Sequence, residues 1–159
     1  MDLLNEAVRR LEAEDATFVA IWQDRVIVSH DRGIAPILKL LSVQEDSLRG
    51  ACVADKVIGK AAALLLCHAG IDQLFAKIVS EHAVEVLREH SLPFRFERSV
   101  PHIVNRTGDG MCPMEQLVLR ISRPEDAFVF LRERIIDNRP DVGRAEKDKE
   151  KNNTILPSI

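Results

Sequence analysis

Between Val57 and Cys67 the chain reads Val-Ile-Gly-Lys-Ala-Ala-Ala-Leu-Leu-Leu-Cys, with Lys60 as its one charged residue. A helix made from this run has no polar stripe to turn toward water, so it must be buried and the other elements must be arranged around it. Asp55 and Lys56 stand before the run, and Asp55 is positioned to offer its carboxylate to the free N–H groups of the helix start. Gly70 and Ile71-Asp72 end the pattern. Leu74, Phe75, Ile78 and Val79 suit a buried strand, and Ser80-Glu81-His82 opens a second helix carrying Ala83, Val84, Val86 and Leu87. The reading from Asp55 to Leu87 is therefore helix, strand, helix, with polar residues at both junctions where a ligand pocket would need them.

The flanking sequence supplies the remaining layers. Leu3, Leu4, Ala7, Val8 and Leu11 recur at helical spacing opposite Glu6, Arg9, Arg10 and Glu12, which predicts an amphipathic helix capping one sheet face. Thr17–Trp22 and Val26–Ser29 read as two antiparallel strands joined by the short polar link Gln23-Asp24-Arg25. Pro36 fits the first turn of a helix through Leu41, and Leu48–Val53, interrupted by Gly50, reads as a short strand or an extended approach. Pro93 breaks the helix after Ser80, and Phe94 and Phe96 alternate with Arg95 and Glu97 in a half-buried strand.

Asn105 to Gly110 has the composition of a loop whose backbone approaches other groups closely. Cys112-Pro113-Met114-Glu115 reads as a helix start continuing to Ile121, with Glu115 near that helix's own free N–H groups. A last helix runs from Pro124 to Ile135. Strands alternating with helices after a hairpin predict an α/β fold, a three-layer α/β/α sandwich with a mixed sheet.

The length of 159 residues fits one domain, taken as residues 1–137, followed by a charged, mobile tail over 138–159. Twenty-two Lys and Arg are scattered among 25 Asp and Glu for a net charge of −3, so no basic face is implied and nucleic acid is not an expected partner. No apolar segment approaches the roughly 20 residues of a membrane span, and the first residues lack a signal-peptide core, so a cytoplasmic location is expected. Cys52, Cys67 and Cys112 contain no Cys-x-x-Cys pair, which favours reduced thiols over a disulfide framework or a Cys-rich zinc site.

Three segments in order, Asp55-Lys56-Val57-Ile58-Gly59-Lys60-Ala61-Ala62-Ala63, Ser80-Glu81-His82-Ala83, and Asn105-Arg106 followed by Cys112-Pro113-Met114-Glu115, resemble a small uncharacterised prokaryotic domain family grouped with the cytidine-deaminase-like fold. The likeness spans about residues 1–136. It implies a deaminase-like α/β/α domain and a pocket location, with no established substrate. Zinc deaminases draw a His or Cys ligand with a nearby Glu from one helix start and a Pro-Cys-x-x-Cys pair from the next. On the resemblance, Asp55-Lys56 and Ser80-Glu81-His82 fall at those two starts and supply neither. Zinc-dependent deamination and a tightly bound zinc are accordingly not expected, and no cofactor is assigned.

Asp55, Lys56, Ser80, Glu81, Asn105 and Arg106 are the candidate ligand-binding residues. Lys56 and Arg106 suit an anion, Ser80 and Asn105 polar contacts, and the carboxylates orientation or proton transfer. Each has a plainer role: Asp55 and Ser80 as helix caps, Asn105 as a turn former, Arg106 as a partner for a nearby Glu. His82 beside Glu81 is a candidate acid/base group, although adjacent helix residues diverge. Cys112 at a helix start is a candidate nucleophile, with His82 or His102 as base, against a structural reading in which it only begins the helix. The leading functional expectation is a metal-independent deaminase-like domain binding a small anionic or nucleotide-like ligand. The alternatives are a non-catalytic interaction or regulatory protein that self-associates or binds a protein, and a thiol-dependent enzyme using Cys112.

Overall fold

The computed structural model of the protein describes residues 2–137; the expected tail lies outside them. Helix α1 spans Leu3–Ala13, and the Asp2 side chain caps it by accepting from the N–H groups of Leu4 and Asn5. Its buried residues Leu4, Ala7 and Leu11 follow the expected apolar stripe. Strands β1 (Phe18–Ile21) and β2 (Val26–Ser29) form the expected antiparallel hairpin, with Ile21 opposite Val26. Helix α2 covers Ala35–Val43 with Pro36 in its first turn. Leu48–Ala51 is not strand; β3 begins at Cys52.

The largest departure from the sequence reading lies at Asp55. Strand β3 runs Cys52–Ile58, and helix α3 begins only at Lys60, so Asp55 and Lys56 sit inside a strand and cap no helix. The β-branched pair Val57-Ile58 extends the strand, and Gly59, at φ −98° and ψ −173°, is the extended residue that precedes the first helical turn. From Lys60 the expectation holds. Helix α3 (Lys60–Ala69) is buried from Ala61 through Leu66 and again at Ala69, and Gly70 stops it in the left-handed conformation at φ 72°.

Strand β4 (Gln73–Ser80) leads directly into α4 (Glu81–Glu89), and β5 (Phe94–Val100) follows Pro93. The segment after Cys112 is shorter than its pattern implied. Helix α5 covers only Pro113–Leu117, and turns at Leu119 and Ile121 replace its continuation. Helix α6 (Pro124–Leu131) ends in a π-helical turn, Arg132–Asp137.

The result is a mixed α/β fold with a five-stranded open sheet in the order β2-β1-β3-β4-β5. β1 is antiparallel to β2 and β3, whereas β3, β4 and β5 are parallel and joined through α3 and α4. Alternation divides the core across the sheet. Val19, Ile21, Cys52, Ala54 and Phe75 pack with Leu4, Ala7 and Leu11 of α1, while Phe18, Ala20, Val53, Leu74 and Ala76 belong to the larger core built with the other helices. Helix α3 is the centre of that larger core, lying against both α4 and α6, which accounts for its lack of a polar face. Among the described residues no helix is long and apolar enough to cross a membrane.

Candidate functional site at the starts of α3 and α4

The parallel strands β3 and β4 each end by passing into a helix, so the starts of α3 and α4 lie side by side at the carboxyl end of the sheet, the usual ligand position in open α/β folds. Ser80, fully buried, ends β4 and caps α4, its Oγ accepting from Ala83 N at 3.0 Å. Its own hydroxyl proton goes elsewhere: Ser80 Oγ donates to Glu115 Oε2. The same carboxylate oxygen accepts from Lys60 N, the first residue of α3, at 2.8 Å. Glu115 Oε1 accepts from Ile103 N at 2.7 Å.

Glu115 is 1% exposed and both of its oxygens are engaged. It was expected to serve the start of its own helix; instead it bridges the starts of two others. Glu115 lies in the first turn of the five-residue helix α5. A helix start offers unpaired N–H groups and partial positive charge, so a carboxylate there is well placed electrostatically. Gly59 makes the approach feasible: a Cβ on it would stand 3.0 Å from Ile103 Cγ1 and 3.2 Å from Glu115 Oε2.

The residues singled out from sequence separate in space. Asp55 is 5% exposed, flanked by Phe18 on β1 and Ala76 on β4, and its Oδ1 accepts from Val57 N at 3.1 Å. Burial pushes its carboxyl well above the usual range, opposed by hydrogen bonds from the Val57 and Lys56 backbones. Lys56 points to the α1 side and pairs with Asp15 at 2.9 Å. Glu81 is exposed and His82 half-buried, and the side chain of neither makes a hydrogen bond or ion pair among the described residues.

Asn105 organises its own loop. Its Oδ1 accepts from Gly108 N at 2.8 Å and from Thr107 Oγ1 and Asp109 N, and its Nδ2 donates to Asp109 Oδ1. Hydrogen bonds from Thr107 and Asn105 hold the Asp109 carboxyl below its ordinary range. Arg106 is exposed at the tip with no side-chain partner among the described residues. Cys112 is half-buried, and its N–H donates to Ile103 O at 2.7 Å. Burial raises the other two thiols, Cys67 to about 11, and Cys52 also feels Asp72 and Asp2.

A second polar cluster escaped the sequence reading. His68 Nε2 meets Glu45 Oε2 at 2.6 Å while its ring stacks on Phe128 with centroids 4.8 Å apart, at a shallow depression shared with Asp46 and Arg49. Neither this pairing nor that of Glu115 with Lys60 joins sequence neighbours, so no local pattern carried them. The one available signal for Glu115 was an acid set between the apolar Met114 and Leu117 in a short helix, with Gln116 beside it.

With this geometry in place, comparison with known proteins settles the lineage. Residues 6–135 match the family described as a domain of unknown function, DUF1893 (TM1506). The chain belongs to the DUF1893 family. Its fold is similar to the crystal structure of a DUF1893 family protein from Thermotoga maritima, with a TM-score of 0.77 and 32% identity over 84% of this chain and 90% of that one. No curated protein matches the chain. A small domain family without an assigned role is what the three sequence motifs pointed to, and in this DUF1893 domain the residues of two of them, Lys60 and Ser80, meet the glutamate of the third.

Proposed function

We propose that this DUF1893 domain is a non-catalytic interaction or regulatory protein built on a cytidine-deaminase-like, three-layer α/β/α scaffold. The scaffold reading is supported by the parallel β3-α3-β4-α4-β5 succession, which sets two helix starts side by side at the sheet's carboxyl end, where zinc deaminases gather their ligands. One observation carries the functional reading: the Glu115 carboxylate lies between those two starts, with both oxygens engaged by Lys60 N, Ser80 Oγ and Ile103 N. A ligand seated between the helix starts would have to displace it.

The residues at this position do not fit a deaminase zinc. The α3 start is Gly59-Lys60-Ala61, with no imidazole or thiol, and among the described residues no group of three or more His, Cys, Asp or Glu gathers to hold a metal ion. The thiol-enzyme reading also lacks support, since neither His82 nor His102 has a side-chain hydrogen bond to Cys112 or any other described group.

A second reading, a small anionic or nucleotide-like ligand, draws on a specific contact. Ile103 packs at Gly59 and Glu115, which brings the loop bearing Arg106 to the same end of the sheet as Glu81 and His82. In that reading the ligand sits outside Glu115, with Arg106 as its anion contact. A thermal-shift screen of the purified chain against nucleotides, phosphates and carboxylic acids separates the two. The interaction reading expects no stabilising metabolite together with a specific protein partner or self-association. A metabolite whose affinity falls in Arg106→Ala contradicts it and installs the ligand reading.

A further inference from the structure

We propose that strand β5 pairs with β5 of a second copy of this chain, antiparallel and centred on Phe96, to join two sheets into one. The proposal supplies the interaction reading above with a partner, and its own support lies in β5. This strand is one of the sheet's two edges and, at seven residues, the longer one; β2, at the other edge, has four. Both side-chain faces are largely exposed along it, and Phe96 is 41% exposed. An edge that pairs with no further strand among the described residues is a ready template for another strand.

The backbone defines which residues face outward. Leu74 N donates to Pro93 O, and the parallel register sets Phe94 beside Leu74 and Phe96 beside Ala76. Continued along a parallel ladder, this directs the backbone groups of Arg95, Glu97 and Ser99 toward β4 and leaves those of Phe94, Phe96 and Arg98 on the free edge. An antiparallel two-fold pair must match outward residues with outward residues, so its centre falls on a residue and not between two.

Charge then selects among the centres. Centred on Arg95, Glu97 or Arg98, the pairing sets that residue against its own copy, with like charges opposed. Centred on Phe96, Arg95 lies opposite Glu97 of the partner and Glu97 opposite its Arg95, in the close pairs without backbone hydrogen bonds. On the other face Phe96 meets Phe96, and Phe94 meets Arg98 of the partner as a cation and a ring. The faces are consistent with this: Arg95 Nη2 donates to Asn5 Oδ1 at 2.7 Å and Glu97 lies 4.0 Å from Lys77 on the α1 side, whereas Phe94 and Phe96 stack together with centroids 6.1 Å apart on the side of the larger core. Charges on an edge strand ordinarily discourage pairing. Here their spacing about Phe96 makes them complementary under a two-fold axis.

Sedimentation equilibrium on the full chain tests the pairing, with thermal unfolding as a control for folding. The wild type is expected at about twice 17.9 kDa in the concentrated limit. Arg95→Glu is expected to weaken the dimer at least tenfold, because both symmetry-related ion pairs become repulsive, and Arg95→Glu with Glu97→Arg is expected to restore it. Phe96→Pro, which removes an outward N–H, is expected to leave a folded monomer. A wild type that stays monomeric up to about 0.1 mM, or a dimer indifferent to both Arg95→Glu and Phe96→Pro, overturns the proposal. A monomer that captures another protein overturns this pairing and leaves the interaction reading standing. A metabolite that binds through Arg106 overturns that reading and leaves the dimer standing.

Discussion

Replacing Glu115 by Ala removes a carboxylate that accepts hydrogen bonds from Lys60 N, Ser80 Oγ and Ile103 N at a position 1% exposed. A hydrogen bond to a charged group contributes about 1.5–3 kcal/mol, and a donor left buried without a partner costs about 1–3 kcal/mol. The three do not add fully, because they share one carboxylate and the Ser80 hydroxyl is free to rotate while keeping its cap on Ala83 N. A net loss of about 4 kcal/mol follows, at the upper end for a single substitution. For a chain of this size that is roughly 10 °C in Tm.

Glu115→Gln is the sharper variant, since it keeps the shape and loses the second acceptor. An amide whose oxygen faces Lys60 and Ser80 turns its NH2 against Ile103 N, and the flipped amide turns it against Lys60 N. One donor is opposed in either orientation, so about half the Ala penalty is expected, on the order of 2 kcal/mol. Urea unfolding of wild type and both variants, followed by circular dichroism, measures the differences. A Glu115→Ala protein within about 1 kcal/mol of wild type, below the cost of even one lost charged hydrogen bond, would refute the argument that this carboxylate joins the helix starts.

Gly59→Ala places a Cβ 3.2 Å from Glu115 Oε2 and 3.0 Å from Ile103 Cγ1, so a cost of about 1–2 kcal/mol is expected, shrinking when Glu115 is already Ala; additive losses in that double-mutant cycle contradict the contact. At Asp55 the folded form binds its proton more tightly than the unfolded chain, so stability falls as pH rises from about 4 toward the raised folded value, by about 1.4 kcal/mol per pH unit within that window. Asp55→Asn should therefore gain on wild type as pH increases from about 4, and parallel stability curves for the two proteins would show that the carboxyl is not displaced. The Cys67 thiol, raised to about 11 by burial, should titrate near that value by absorbance of the thiolate; a midpoint near the unperturbed value of about 8.5 contradicts it.

Elements set by local pattern were legible in the sequence. The apolar stripe of α1, the hairpin link Gln23-Asp24-Arg25, the buried run Ala61–Leu66 and the Ser80 cap of α4 each depend on residues within a turn or two, and each formed as read. Asp55 misled because a helix cap and a buried strand carboxylate look alike until the partner strands are known; Phe18 and Ala76, its neighbours in the sheet, are far away in sequence. Asn105 was legible as a loop residue, and both polar atoms of its side chain are engaged in holding that loop. The bridge made by Glu115 spans 55 residues to Lys60 and 35 to Ser80, so no window along the chain contained it. The start of α4 at Ser80 was legible, whereas the start of α3 lies at Lys60 and not at Asp55, and the carboxylate that joins the two could not be read from either.

Amide hydrogen exchange at Lys60 tests the central claim most directly. The first N–H of a helix has no partner within that helix and ordinarily exchanges with solvent quickly. Here Lys60 N donates to a buried carboxylate, as does Ile103 N, so both amides should exchange only through opening of the fold, slowed by about a thousandfold or more, and both should lose that protection in Glu115→Ala. A Lys60 amide exchanging in the wild type at the rate of an exposed helix end would contradict the account, because the starts of α3 and α4 would then be open to solvent and to a ligand.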